Sequence, residues 1–170
     1  MKKQVLLKTL IAGDSSVGKT TLTHRFVNGE FIDTATMTVG VDFLLKEVNV
    51  LDNISCHLQI WDIGGQERFR HMVKEYIPGA RGALLLFDTT NWTSFVNIDK
   101  WTQILRIYDK KLPIVLVATK YDLKEFSMVA DYYANLKKKK LNMIDYIKTS
   151  SKTGLNVEKV FEILAQRLVS

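Results

Sequence analysis

The run Gly13-Asp14-Ser15-Ser16-Val17-Gly18-Lys19-Thr20 has the residue types and the spacing to hold phosphate. A glycine-rich turn of this length aims successive backbone N–H groups at one point, and the helical pattern that opens beside it adds partial positive charge there. Lys19 is long enough to reach the outer phosphates of a nucleotide, and the Thr20 hydroxyl is a hard oxygen donor suited to Mg2+. Chance alone can produce such an octet. Here Val5 to Ala12 reads as a buried strand before it and Thr21 to Val27 as a helix after it, which is the setting the chemistry needs.

Further along, Trp61-Asp62-Ile63-Gly64-Gly65-Gln66 puts a carboxylate where it can hold Mg2+ directly or through water. Gly65 lacks a Cβ and can bring its N–H close to a terminal phosphate, while Gln66 can orient a water for in-line attack. The stretch Thr34 to Gly40 has little periodicity, and a threonine hydroxyl there would complete a Mg2+ shell when a γ-phosphate is bound. Spacing does not choose between Thr36 and Thr38. In Thr119-Lys120-Tyr121-Asp122 the carboxylate can accept from both N1–H and the N2 amine of guanine, whereas adenine offers neither donor. The aliphatic stems of Lys120 and Lys152 suit the faces of a flat ring, with Phe31 stacked beside it.

These groups need a scaffold that brings distant loops to one rim, and the pattern of the chain supplies it. Apolar runs alternate with helical periodicities without linker or repeat, which reads as one α/β domain over residues 1–170. Leu84 to Phe87 and Ile114 to Ala118 are continuous apolar segments of the kind buried on both faces in parallel sheets. Val41 to Val50 and Ile54 to Trp61 meet at the turn pair Asp52-Asn53, so an antiparallel hairpin is expected and the sheet is mixed. Three stripes at helical spacing read as core faces: Trp101, Ile104, Leu105 and Tyr108; Val129, Tyr132, Tyr133 and Leu136; and Val157, Val160, Phe161, Leu164 and Leu168. The phosphate loop, Asp62, Thr119 to Asp122 and Ser150-Ser151-Lys152 each follow an inferred strand, at the carboxyl end where such sheets bind ligands.

Composition excludes several alternatives. With 46% hydrophobic residues the chain can build a core. Cys56 is the single cysteine, so no intrachain disulfide forms, and His24, His57 and His71 are scattered without metal-ligand spacing. Apolar stretches fall far short of the about 20 residues that span a bilayer. Met1-Lys2-Lys3 before an apolar run resembles the start of a signal peptide, but Lys8 interrupts the run and the phosphate loop follows at once, so a strand is expected there. A cytoplasmic location is expected, peripheral to membranes in a longer form of the chain. The formal charge of +6 owes most to Lys137 to Lys140, expected as solvated lysines complementing a helix C-terminus, with no nucleic-acid motif beside them.

Taken together, these motifs resemble the Ras-like small GTPases over essentially the whole chain, and most closely the Rab family, through Thr38-Val39-Gly40-Val41-Asp42-Phe43, Leu58-Gln59-Ile60-Trp61-Asp62 and Gly65-Gln66-Glu67-Arg68-Phe69. The resemblance implies a P-loop NTPase G domain, with a mixed, mostly parallel six-stranded sheet flanked by about five helices. It makes Lys19 the phosphate lysine, Thr20 and Thr38 the Mg2+ hydroxyls, Asp62 a metal ligand through water, and Gln66 the catalytic glutamine, assisted by Lys19, Thr38 and Gly65. Asp14, Ser15, Ser16, Val17, Gly18 and Thr21 join the nucleotide site, as do Phe31, Thr119, Lys120, Asp122, Ser150, Ser151 and Lys152. Phe43, Trp61 and Tyr76 correspond to an aromatic triad that meets effectors, although alternation leaves the outward face of Phe43 open.

The chain also departs from that pattern. Thr119 stands where most relatives have an asparagine that ties loops together, Ala35 where many have a tyrosine, and Ile63-Gly64 where Thr-Ala is usual, giving the Asp-x-Gly-Gly-Gln of the Arf branch. The C-terminal Leu168-Val169-Ser170 lacks the cysteines that Rab relatives prenylate, so membrane contact is expected only through a lipidated tail outside this sequence. The expected function is a guanine-nucleotide switch hydrolysing GTP to GDP with Mg2+, in membrane traffic or effector recruitment. No internal arginine finger is evident, and such a finger contributes about 10^3 to 10^5 in rate, so slow hydrolysis and an activating protein follow, beside effectors and exchange factors. The rival reading is a non-catalytic scaffold whose fold GTP or GDP stabilises; an ATP-using enzyme is poorer, because no substrate-binding domain is apparent.

Overall fold

The computed structural model describes residues 3–32, 38–51 and 53–170. Thr34, Ala35, Thr36 and Met37, the Asp52 half of the hairpin turn, and Met1-Lys2 lie outside the described residues. Six strands form one sheet in the order β2-β3-β1-β4-β5-β6. They are β1 Lys3–Ala12, β2 Val41–Leu51, β3 Ile54–Ile63, β4 Gly82–Asp88, β5 Ile114–Thr119 and β6 Asp145–Lys148. All neighbours run parallel except β2 and β3, which form the expected hairpin. Among the described residues the α-helices are α1 Lys19–Asn28, α2 Trp92–Val96, α3 Ile98–Leu105, α4 Asp131–Lys140 and α5 Val157–Val169, with 3-10 turns at Glu67–Glu75 and Tyr121–Phe126. None of these helices is long and apolar enough to cross a membrane.

Continuous apolar sequence makes β4 and β5 buried along their whole length, because both sheet faces are covered. On one face Leu7, Ile11, Leu84 and Val117 pack with Leu22 and Phe26 of α1 and with Val160, Phe161 and Leu164 of α5. On the other, Leu10, Leu85, Phe87 and Leu116 pack with Phe95, Ile98, Trp101 and Leu105. Phe26 and Phe161 stack at 3.9 Å between ring centroids and 6° between planes, fixing α1 against α5. The helix carrying Lys19 and Thr20 is thereby anchored to the same core as the strands that carry Asp62 and Thr119.

Two of the three helical stripes differ from expectation. Val157, Val160, Phe161 and Leu164 are buried as predicted, but Tyr108 lies beyond the end of α3 and is 64% exposed. On α4 only Ala134 is buried, and Tyr132, Tyr133 and Leu136 face outward. Val129, buried at 5% exposure, precedes the helix and does not extend a covered face along it. Helical spacing identifies residues that share a face; it does not say whether anything covers that face.

Candidate nucleotide and metal site

At the C-terminal end of β1 the chain turns through Gly13 to Gly18 into α1. Gly13 has φ of 140° and sits so close to the Leu86 carbonyl that a Cβ there would collide with it, and Gly18 has φ of 102°, so both ends of the loop require glycine. Lys19 begins α1 and folds back over the loop, donating to the Asp14 carbonyl at 2.6 Å. Only 6% of it is exposed, and burial lowers its ammonium pKa to about 8; the carboxylates of Asp62 and Asp14 oppose that shift and Arg70 adds to it. A buried ammonium with few anionic neighbours is what a polyphosphate would complement.

Three oxygen-bearing side chains meet beside this lysine. The Thr20 hydroxyl donates to Asp62 Oδ2 at 2.6 Å and lies 2.7 Å from the Thr38 hydroxyl. Asp62 is fully buried at the end of β3, burial raises its pKa, and its Oδ1 has no hydrogen-bond partner. A buried carboxylate oxygen left unpaired, flanked by two hydroxyls, is a donor set that fits a hard divalent cation completed by phosphate oxygens and water. The described residues contain no cluster of three His, Cys, Asp or Glu side chains that would hold a metal without such help.

Gly64 and Gly65 bring three stretches of backbone together. The Gly64 N–H donates to the Gly40 carbonyl at 2.7 Å, and a Cβ on Gly64 would collide with the Thr38 carbonyl. A Cβ on Gly65 would collide with the Gly13 carbonyl and meet the backbone of Asp14 and Ser15 at 2.5 Å. Gln66 follows, 9% exposed, its Oε1 accepting from Arg68 Nε at 3.0 Å.

The second half of the site is a pocket of about 320 Å³ lined by Gly18, Thr21, Phe31, Ile32, Thr119, Lys120, Asp122, Leu123, Ser151 and Lys152. The Asp122 carboxylate accepts from the Ser150 hydroxyl at 2.8 Å. Ser150 itself is 1% exposed, so it orients Asp122 from behind instead of facing the pocket, as Ser151 does. Lys120 presents its stem to the pocket, while its ammonium is tied to Asp88 at 2.6 Å and to the Ser16 carbonyl at 3.2 Å. Thr119 keeps a loop-tying role without an amide: its hydroxyl lies 2.5 Å from the Val17 carbonyl.

Sequence reasoning overlooked the partners of these groups. Asp88 closes β4 at the same rim and could have been found by the criterion that picked out Asp62. Asp14 contributes its main chain to the loop, but its carboxylate turns away, accepting from Asn97 Nδ2 at 2.7 Å, Trp101 Nε1 at 2.9 Å and Arg70 at 3.2 Å. Nothing in the spacing signals that convergence. On the outer face, Phe43 is exposed and meets Trp61 edge-on at 4.5 Å; Tyr76 lies 6.3 Å beyond Trp61, so the three rings form one surface.

Comparison with known proteins gives matches over nearly the whole chain. The model of the Ras family matches residues 8–170. The Ypt/Rab-type GTPase YPT7 of Saccharomyces cerevisiae is 36% identical over 97% of this chain and 82% of its own length. Rab7 of Drosophila melanogaster is 38% identical over 97% of this chain and 81% of its own, and the Ypt/Rab-type GTPase avaA of Emericella nidulans 37% over 97% and 83%.

Proposed function

This chain belongs to the Ras family, and from that premise we propose that it is a Rab-like GTP-binding switch that hydrolyses GTP to GDP and regulates membrane traffic. The observation that carries the chemistry is the convergence of buried Lys19 with Thr20, Thr38 and the unpaired Asp62 oxygen, next in the chain to Gly18 and Thr21 of the pocket that holds Asp122.

The phosphate loop binds the polyphosphate through its backbone N–H groups, and Lys19 neutralises the outer phosphates. Thr20, Thr38 and Asp62 would hold Mg2+, which supplies charge neutralisation to the phosphates when bound. Asp122, fixed by Ser150, accepts from the guanine edge, and Phe31 with the stems of Lys120 and Lys152 covers the ring. Gln66 positions water once it leaves Arg68, so the 3.0 Å bond between them favours slow turnover until a partner rearranges the segment. Because Gly64 is bonded to Gly40 and abuts Thr38, the two loops that carry Thr38 and Gln66 respond together to the terminal phosphate. Effectors, exchange factors and activating proteins would read that response through these loops and through Phe43, Trp61 and Tyr76.

The test is competition and turnover on the purified chain. GTP and GDP should displace a labelled guanine nucleotide while ATP does not, and phosphate should be released over hours only when Mg2+ is present. Displacement by ATP with equal strength would reject the guanine assignment; tight GTP binding without phosphate release would favour the scaffold reading.

A further inference from the structure

The outward face of α4 carries apolar groups that nothing among the described residues covers. Tyr132, Tyr133 and Leu136 are 67%, 52% and 48% exposed, and Phe126 and Met128 just before the helix are exposed as well. Tyr133 meets the exposed Trp92 of α2 edge-on, with ring centroids 6.3 Å apart, so the surface extends across two helices. Helical spacing continues it from Tyr132 and Leu136 to Lys139, and from Tyr133 and Leu136 to Lys140.

The exposed charge on this face is mostly positive. Lys137 turns inward to Asp99 at 2.6 Å and the Phe95 carbonyl at 3.1 Å, contrary to the expectation that all four lysines are solvated. Lys139 makes no ion pair among the described residues, and Lys140 approaches Asp99 only at 3.9 Å with its side chain 75% exposed; Lys138, one turn after the buried Ala134, is half-buried and lies on the inward side of the helix. Of the bordering acids, Asp99 is answered by Lys137 and Asp131 by Lys148 at 2.8 Å and the Tyr146 hydroxyl at 3.0 Å, while Glu125, beside Phe126, stays exposed as does its neighbour Lys124.

We propose that this face docks directly on a bilayer surface rich in anionic lipid, with the α4 axis lying along the membrane. Tyrosine and tryptophan have an apolar body and a polar tip, the combination favoured at the headgroup level. Each lysine held near an anionic leaflet adds about fivefold to partitioning. Exposed aromatic groups followed by exposed lysines match a fluid, negatively charged plane, which needs no concave counterpart. None of these side chains lines the nucleotide pocket, so the contact is additional to nucleotide binding and independent of any lipid tail.

The test is cosedimentation of the nucleotide-loaded chain with phosphatidylcholine vesicles, with and without about 30 mol% phosphatidylserine, together with tryptophan emission. Partition into the anionic vesicles is expected, weakened by salt, with a blue shift that Trp92→Phe removes. The double variant Lys139→Gln, Lys140→Gln should lower partition about 25-fold, and Tyr132→Ser with Tyr133→Ser should lower it at unchanged charge, both with nucleotide affinity intact. Equal partition of the wild type and the lysine variant, or binding without the Trp92 shift, overturns the proposal. Indifference to vesicles overturns it too: in favour of an acidic protein if the same lysines retain poly-glutamate, or of a second copy if the chain dimerises through Tyr132 and Tyr133.

Discussion

Lys19 carries its charge into a buried position, and that burial gives a measurable signature. Its pKa falls to about 8 in the folded chain from the usual 10.5, so between those values the unfolded chain holds a proton that the folded one does not. The nucleotide-free protein should therefore gain about 3 kcal/mol of stability as pH rises from about 8 to 10.5, with no pH dependence from this group below that window, where both states are protonated. Urea unfolding across that range checks it: Lys19→Met should flatten the rise, and bound GDP should do the same by restoring an anionic partner. Lys19, Thr20, Asp62 and Asp122 were legible in the sequence because their chemistry depends on type and spacing. Ser150 was named for the base loop, but its place behind Asp122, like the tie between Asp88 and Lys120, depends on which side chain stands behind another in the folded rim.

Among the elements, the 3-10 turn Glu67–Glu75 is tied to the phosphate loop chiefly by side chains. Asp14 gathers Arg70 from that turn together with Asn97 and Trp101 on the other flank, and Arg70 lies 4.9 Å from the Trp101 ring centre. A hydrogen bond to a charged group contributes about 1.5 to 3 kcal/mol, so Asp14→Ala should raise amide exchange across residues 67–75 by about ten- to a hundredfold. Exchange in β5 should stay unchanged; an unaltered 67–75 segment would show that backbone contacts alone hold it. Strands and helices were readable to within a few residues at their ends, since apolar runs and 3.6-residue periodicity act locally. The outward turn of α4 was not readable, because covering a face is a property of its neighbours.

For the whole molecule, the sheet works as a plate with a core on each side, and the stacked Phe26 and Phe161 link the nucleotide-binding helix to the C-terminal one. Phe161→Ala should destabilise the fold by about 3 to 5 kcal/mol through lost burial and the cavity left behind. That corresponds to about 10 °C or more in melting temperature for a chain of this size, followed by circular dichroism. The mixed sheet and its two covered faces could be anticipated from the alternation of runs; the strand order needed the registers themselves. Gly64 and Gly65 impose a different kind of constraint on the molecule. In this chain main chain is pressed on main chain on both sides of them, so an added methyl at either position requires residues 38–40 or 13–15 to retreat with it. Two adjacent residues thereby join three separately encoded segments into one mechanical part, so a shift in any one of them is felt by the other two.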